Sequence, residues 1–525
     1  MHDDDDTCAC FATPATATRR SLLGAAVAAA SAPLTSAWAT PTIAAQATPA
    51  SVRRRTQLPN RHCVVEAGWA LVHDGTRARL QREASIVVEG GRIAEVRTGR
   101  MRGKLPRVDA TQLLVMPGWI SGHTHVAGGT VTRGLFEGRR SYARALQLAE
   151  GLDDDALDAI TALNLAELLR SGCTTQLDQA LSLRQARSYV RVARRWGVRA
   201  YPAGMVPGIA RLFPIWQRRS DDALHDSVAD TLAEIEANLR FALEIDGAED
   251  GRIRPMMAPH AADTHTPETL RALVAAARQL GHGIHLHLCQ GRGETEAVQR
   301  AWGVRPVAWL EQHGVFGERV FGAHLSAPDL VNDPAILRRH RFTYVTCPSG
   351  GGASGFTQPW PELLAAGVNT NIGIDTHSND YVENLKLAVI KGEARWSLAR
   401  AASPVPMTRP TMALAVDAAT LGAARGLGRD DLGRIAAGAC ADLCAIDVGG
   451  WFTGSGALPP EPLTNLLYAN GLAVRHVMTD GHFQVFDGHL VVDDEVQVAA
   501  RAGAAVQQLW AQLRAERFFE DSPGR

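Results

Sequence analysis

The chain has 525 residues, of which 46% are apolar and 21% charged, with a formal net charge of −1. This is an ordinary globular composition with ample material for a large core, and its near-neutral charge excludes electrostatic capture of nucleic acid or of an acidic membrane surface. Eight cysteines without a C-x-x-C pair exclude both a disulfide framework and a cysteine-zinc motif.

In chain order, the first segment reads as an export signal. Arg19-Arg20 precede Ser21-Leu22-Leu23-Gly24 and an Ala-rich apolar stretch, and Ala37-Trp38-Ala39 has the small-x-small form of a cleavage site. Residues 1–39 resemble a twin-arginine signal, which implies the export machinery as a partner and delivery in folded form to the periplasm or beyond. The apolar stretch is too short and too rich in Ala and Gly for a stable membrane span. Residues 40–59 read as a linker.

From 60 to 115 the pattern is short and strand-like (HCVVEAGWALV, ASIVVEGGRIAEV, TQLLVMP), and matching segments return over 429–495 (ADLCAIDV, AVRHVMTDGHFQVFDGHLVV). Turn signals at Gly90-Gly91, Asp480-Gly481 and Asp487-Gly488 punctuate both. One small β-sandwich domain assembled from both ends of the chain is expected. Between them, over 116–428, eight strand–helix units alternate, which predicts an α/β fold of the (β/α)8 TIM-type barrel. No G-x-G-x-x-G follows the first strand, which argues against an open dinucleotide-binding sheet. Residues 496–525 read as a C-terminal helix.

A barrel of this kind gathers its chemistry at the C-terminal ends of its strands. There the sequence places His123-Thr124-His125 on strand 1, His260 on strand 4 and His285-Leu286-His287 on strand 5. His324 ends strand 6, and Asp375-Thr376-His377 ends strand 8. An i, i+2 pair on a strand faces one side, so His123 and His125 are placed to share an ion, and so is either His285 or His287. Nitrogen and carboxylate donors suit Zn2+ or Fe2+, with Mn2+ or Co2+ as further options.

These pieces resemble the metal-dependent amidohydrolase superfamily, in its branch of S-adenosylhomocysteine/guanine-type deaminases and triazine hydrolases. The resemblance rests on PGWISGHTH, LNLAELLRSGCTT, APH at 258–260, GIHLHL, GVRPVAWLEQHGVFGERVFGAHL, ELLAAGVNTNIGIDTHSND and LGRIAAGACADLCAIDV, and spans roughly 60–495. It implies His123, His125, His287 and Asp375 as metal ligands, choosing His287 where spacing leaves His285 open. It also places His324 beside the attacking water and substrate. Two-metal relatives carry a bridging lysine or glutamate on strand 3 or 4. No lysine lies between Lys104 and Lys386, and neither VRAYPAG nor RIRPMMAPH holds a Glu, so one divalent ion is expected, with Zn2+ the first choice.

Two departures bear on substrate. Relatives that deaminate carry H-x-x-E after strand 5, where the Glu protonates a ring nitrogen; the residue three after His287 is Gln290, an amide that donates hydrogen bonds but transfers no proton. Relatives usually carry a His-Asn-Pro-x-Ser-Asn stretch where this chain has TCPSGGGASG, so a shallower loop is expected there. The reading is therefore hydrolysis by metal-activated water of a non-peptide C–N bond of amide, urea or carbamate type in a small molecule. Asp375 moves the proton, His324 assists, and Gln290, His260 and His377 meet the substrate. The alternatives are a deaminase or dechlorinating hydrolase of a nitrogen heterocycle, and a non-catalytic exported binding protein. Relatives of this kind are usually homo-oligomers. His265, His282 and His313 are expected at the surface or in caps, and Trp119 in structural packing.

Overall fold

In the computed structural model, the described residues are 57–135, 143–218, 227–353 and 357–519. The signal-like segment 1–39 and most of the expected linker lie outside them. None of the described helices is long and apolar enough to cross a membrane.

Strands from both ends of the chain share one eight-stranded sheet. From the N-terminal side come β1 (His62–His73), β2 (Ala78–Glu89), β3 (Arg92–Thr98) and β4 (Arg107–Pro117). Together with β13 (Leu443–Ile446), β14 (Val474–Thr479), β15 (His482–Phe486) and β16 (His489–Leu490), they run in the order β16-β15-β14-β13-β4-β1-β2-β3. The two halves meet where β4 pairs antiparallel with β13, Met116 opposite Cys444. The turns are those expected: both residues of Gly90-Gly91 and of Asp480-Gly481 have positive φ, as the tight hairpin turn that matches strand twist requires. Cys63, Ile86, Val88, Ile93, Leu443 and Phe483 from both halves are buried in one apolar cluster, so neither half has a complete core alone.

The middle of the chain forms two arcs of four parallel strands. One arc is β5 (Trp119–Thr124), β6 (Cys173–Ala180), β7 (Arg199–Val206) and β8 (Ala258–Pro259). The other is β9 (Ile284–Leu288), β10 (Val320–His324), β11 (Phe342–Thr346) and β12 (Asn369–Ile372). Single bridges join them at both seams, Met257 to Ile284 and Thr124 to Asp375, giving a TIM-barrel-like ring. At the second seam a side chain replaces the ladder. Buried Asn371 accepts from the Gly122 N–H at 2.6 Å and donates to the Ile120 and Ala418 carbonyls at 2.9 Å each. Ile120, Leu177, Tyr201, Phe321 and Val345 fill the interior, so the ring encloses packed side chains and no channel.

All eight expected strands are present, but RIRPMMAPH contributes only two residues of regular strand. Pro202 on β7 and Pro255 fall in the stretch that would pair, and neither has an N–H to donate. The glycine-rich segment differs from expectation too: Pro348–Ala353 is a short helix. The C-terminal helix forms over Glu495–Ala515, with Asp494 accepting from the N–H groups of Val496 and Gln497. Its Leu509 and Leu513 pack in a cluster with Ile160 of the helix Asp154–Arg170.

Candidate metal centre

His123 and His125 leave the end of β5 on one face, and His287 reaches the same point from β9. Their ring nitrogens lie within 4.8 Å of one another, and so do those of His123 and His324 with a carboxylate oxygen of Asp375. Two ligands about 2.0–2.1 Å from a tetrahedral ion stand roughly 3.4 Å apart. Here His125 Nε2 is 3.2 Å from His287 Nε2 and 3.5 Å from Asp375 Oδ1, and His123 Nε2 is 3.8 Å from the same oxygen. Nitrogens at such a separation, with lone pairs converging, repel one another unless a cation or a proton lies between them. His123 Nε2 is buried with no hydrogen-bond partner among the described residues. The donor set fits a divalent metal ion.

Burial sets the protonation of this group. It holds His123 and His287 well below the usual imidazole range, aided by the positive charge neighbouring rings would carry. His125 is pushed down to about 4 and His324 to about 3, again chiefly by burial. The rings are therefore neutral, and those of His123, His125 and His287 can offer a lone pair to a metal. Burial pushes Asp375 up to about 7 in the metal-free protein, so its charged form needs a nearby cation to be stable there.

The rings are fixed from behind. His125 Nδ1 lies 2.5 Å from the Gln179 carbonyl and His287 Nδ1 2.9 Å from the His260 carbonyl, so each carries its proton on Nδ1 and presents Nε2 inward. The orientation of His324 follows from a glutamine. Gln358 Oε1 accepts from Thr346 Oγ1 at 2.7 Å and from the Cys347 N–H at 2.6 Å, so its amide nitrogen is the group facing His324 Nδ1 at 3.5 Å. A ring that accepts at Nδ1 keeps its proton on Nε2, and that N–H has no partner among the described residues. His324 and Asp375 both have left-handed backbone, at φ of +82° and +62°. Such strain outside glycine concentrates at functional sites.

The cavity beside the set measures about 270 Å³ and is lined by His125, His260, His287, Gln290, Asp375 and Thr376 with an apolar wall of Ala143, Leu146, Leu181 and Met205. His260 and Gln290 are thus where the sequence placed them. His377 is not: it lines a separate cleft with Arg133, Glu167 and Asn379, because the chain turns outward after Thr376. Asn379 holds that turn by donating to Asn164 Oδ1 and Glu167 Oε2 at 2.8 Å each. His265 is a cap residue as expected, closing the turn Ala262–Thr264, but it is buried, with its nitrogens 3.0 Å from the Val206 carbonyl and 3.1 Å from Thr269 Oγ1. Trp119 is fully buried against Tyr381, as packing requires.

Glu294 does not line the cavity. Its Oε2 accepts the Gln290 N–H at 2.7 Å, so it braces the loop that presents Gln290. Burial and the neighbouring Asp263 carboxyl raise its pKa. Asp178 on β6 was missed. It is fully buried, pushed up to about 7, and accepts from the Val126 N–H at 2.7 Å, clamping the chain just past the two β5 histidines. The acid near the C-terminal end of the strand TTQLDQ was its visible signal.

A parallel ring carrying histidines and an aspartate at its C-terminal rim is the architecture of a barrel hydrolase with a metal-type centre. The chain belongs to the Amidohydrolase family, whose profile matches residues 114–483. Membership makes it a hydrolase acting on carbon–nitrogen bonds other than peptide bonds. It is 30% identical over 413 residues to the 5-methylthioadenosine/S-adenosylhomocysteine deaminase of Moorella thermoacetica, covering 75% of this chain and 87% of that protein. Its fold matches the zinc-bound adenosine deaminase of Xanthomonas campestris with a TM-score of 0.72 at 23% identity, over 86% of this chain and 99% of that one. It also matches the zinc-complexed atrazine chlorohydrolase of Arthrobacter aurescens with a TM-score of 0.71 at 19% identity, over 85% of this chain and all of that one.

Proposed function

We propose that this protein hydrolyses an amide, urea or carbamate C–N bond in a small neutral molecule, using a single zinc ion held by His123, His125, His287 and Asp375. The observation that carries this reading is the cavity wall: Gln290 stands where a ring-protonating acid would act, and Glu294 is committed to the loop backbone. When bound, a divalent ion there supplies Lewis acidity and a nucleophilic water near neutral pH. Asp375 accepts the proton released as the water oxygen bonds the carbonyl carbon. The Nε2–H of His324 steadies the negative charge that develops on the carbonyl oxygen. The C–N bond then breaks and the nitrogen departs as an amine, taking the proton that Asp375 held. Ala143, Leu146, Leu181 and Met205 shelter an uncharged substituent.

The second reading, a deaminase or dechlorinating hydrolase of a nitrogen heterocycle, is favoured by the activities of the relatives named above. A screen of zinc-reconstituted protein against amides, ureas, carbamates and amino-heterocycles, measuring both amine and ammonia, separates the two. Ammonia from heterocycles with no turnover of amides or ureas overturns the first reading. A chain that takes up no zinc, manganese, iron or cobalt and turns over nothing is instead a binding protein. We further propose folded export through the twin-arginine route, on the strength of Arg19-Arg20 and Ala37-Trp38-Ala39, and a homo-oligomeric state. Fractionation of a tagged full-length chain and sedimentation of the purified protein test these two points.

A further inference from the structure

Three histidines of the donor set need their Nδ1 atoms held, and two of them use main-chain carbonyls, those of Gln179 and His260. The third is built differently. His123 Nδ1 meets no carbonyl; it lies 2.8 Å from Nε2 of His285, with the two rings nearly perpendicular at 89°. His285 is two residues before the ligand His287 on the same face of β9, and it is completely buried. From the spacing alone either could ligate, but the geometry separates them: His287 enters the donor set and His285 stands behind it.

We infer that His285 is a positioning residue whose Nε2 accepts the Nδ1 proton of His123 and so turns the His123 Nε2 lone pair toward the ion. The inference rests on the metal-centre reading above. For His123 to offer a lone pair at Nε2, its proton must sit on Nδ1, and that N–H needs an acceptor in an interior without water. His285 supplies one only as the tautomer protonated on its own Nδ1. That Nδ1 is buried with no hydrogen-bond partner among the described residues, an arrangement that costs stability wherever nothing compensates it. The opposite proton arrangement, with His285 donating, would put the His123 proton on Nε2. It would then point at the ring nitrogens and the Asp375 carboxylate where the ligands converge. An imidazole acceptor is also more basic than a carbonyl, so it raises the electron density that His123 donates.

The test compares His285→Phe, which keeps ring volume without an acceptor, with His285→Gln, whose side-chain oxygen reaches the position of Nε2. Zinc affinity is read by chelator competition, the Co2+ absorption spectrum reports ligand geometry, and thermal unfolding of the metal-free proteins reports the fold. The Phe variant is expected to bind zinc about 10–100-fold more weakly with an altered cobalt spectrum, and Gln to recover most of the affinity. His285→Leu gives a second acceptor-free variant should Phe fail to fold. Wild-type affinity in both acceptor-free proteins, or a Gln variant as weak as they are, overturns the role of His285. A wild-type chain that binds no ion under the same conditions overturns the metal centre itself, and this role with it.

Discussion

A β-carbon added to Gly350 would stand 2.8 Å from Oδ2 of Asp375. The short helix after β11 therefore lies against the carboxylate that completes the donor set, and only a residue without a side chain fits there. Gly350→Ala is expected to displace Asp375 at a cost of about 1–3 kcal/mol. Turnover should fall at least tenfold while the unfolding temperature moves by only a few degrees. Steady-state kinetics and bound-metal content on the same preparation check this. An unchanged kcat with full metal content would show that the helix gives way instead.

Gln290→Glu places a carboxylic acid on the cavity wall at the position where deaminating relatives carry one. It is expected to create or raise ammonia release from amino-heterocycles and leave amide or urea hydrolysis equal or lower. Coupled ammonia detection checks the first outcome. The Gln290 main-chain bond to Glu294 is untouched by the change, so the loop should hold.

The buried carboxyls give metal-free protein a pH dependence of definite sign. Asp178 and Asp375 are each pushed up from 3.8 to about 7. Their stabilising contribution is complete below pH 3.8 and is lost as pH rises through 7. His125, His260, His285 and His324 are pushed down from 6.5 to about 3–4 and act the other way, adding stability as pH rises to 6.5. At pH 6.5 an unfolded histidine is still half protonated, so the two sets oppose each other until about pH 7.5. Asp178→Asn keeps an oxygen for the Val126 N–H and removes one carboxyl contribution, so the chelated variant is expected to gain stability relative to chelated wild type as pH rises from 5 to 8. Denaturant midpoints across the range measure both.

Arg199 and Asp442 join the barrel to the terminal sheet. Nε of the first lies 2.8 Å from Oδ2 of the second, with the side chains only 3% and 5% exposed. Asp442→Ala removes the nearer of two carboxylates, leaving the buried guanidinium only Asp480 at 3.9 Å, and is expected to cost up to about 3–5 kcal/mol. Replacing both together with apolar residues, Arg199→Met with Asp442→Leu, should return much of that loss. Chemical denaturation of the three proteins checks the comparison.

Most of the barrel was legible because its strands are short apolar runs between strong helical patterns, as in GIHLHLCQ and RVFGAHL. β8 was overdrawn: the pattern of RIRPMMAPH is apolar enough for a strand, but Pro255 within it and Pro202 on the neighbouring strand lack the N–H groups that would pair. The histidines announced the site by ending several separate strands. What stayed hidden depends on contacts across the ring. Nothing local distinguishes His285 from His287, the Gln179 carbonyl has no side-chain signature, and Gly350 matters only because Asp375 lies beside it. His377 was misplaced because adjacency to Asp375 in sequence does not survive the turn that Asn379 fixes.

The seam between β5 and β12 has a consequence for how the centre comes into being. His123 and His125 belong to the first strand of the ring and Asp375 follows the last, so a nascent chain holds an incomplete chelate until the ring has closed. Assembly order is thereby imposed: barrel first, ion afterwards. If export follows folding and the ion enters as the ring closes, the choice of ion is made in the cytoplasm.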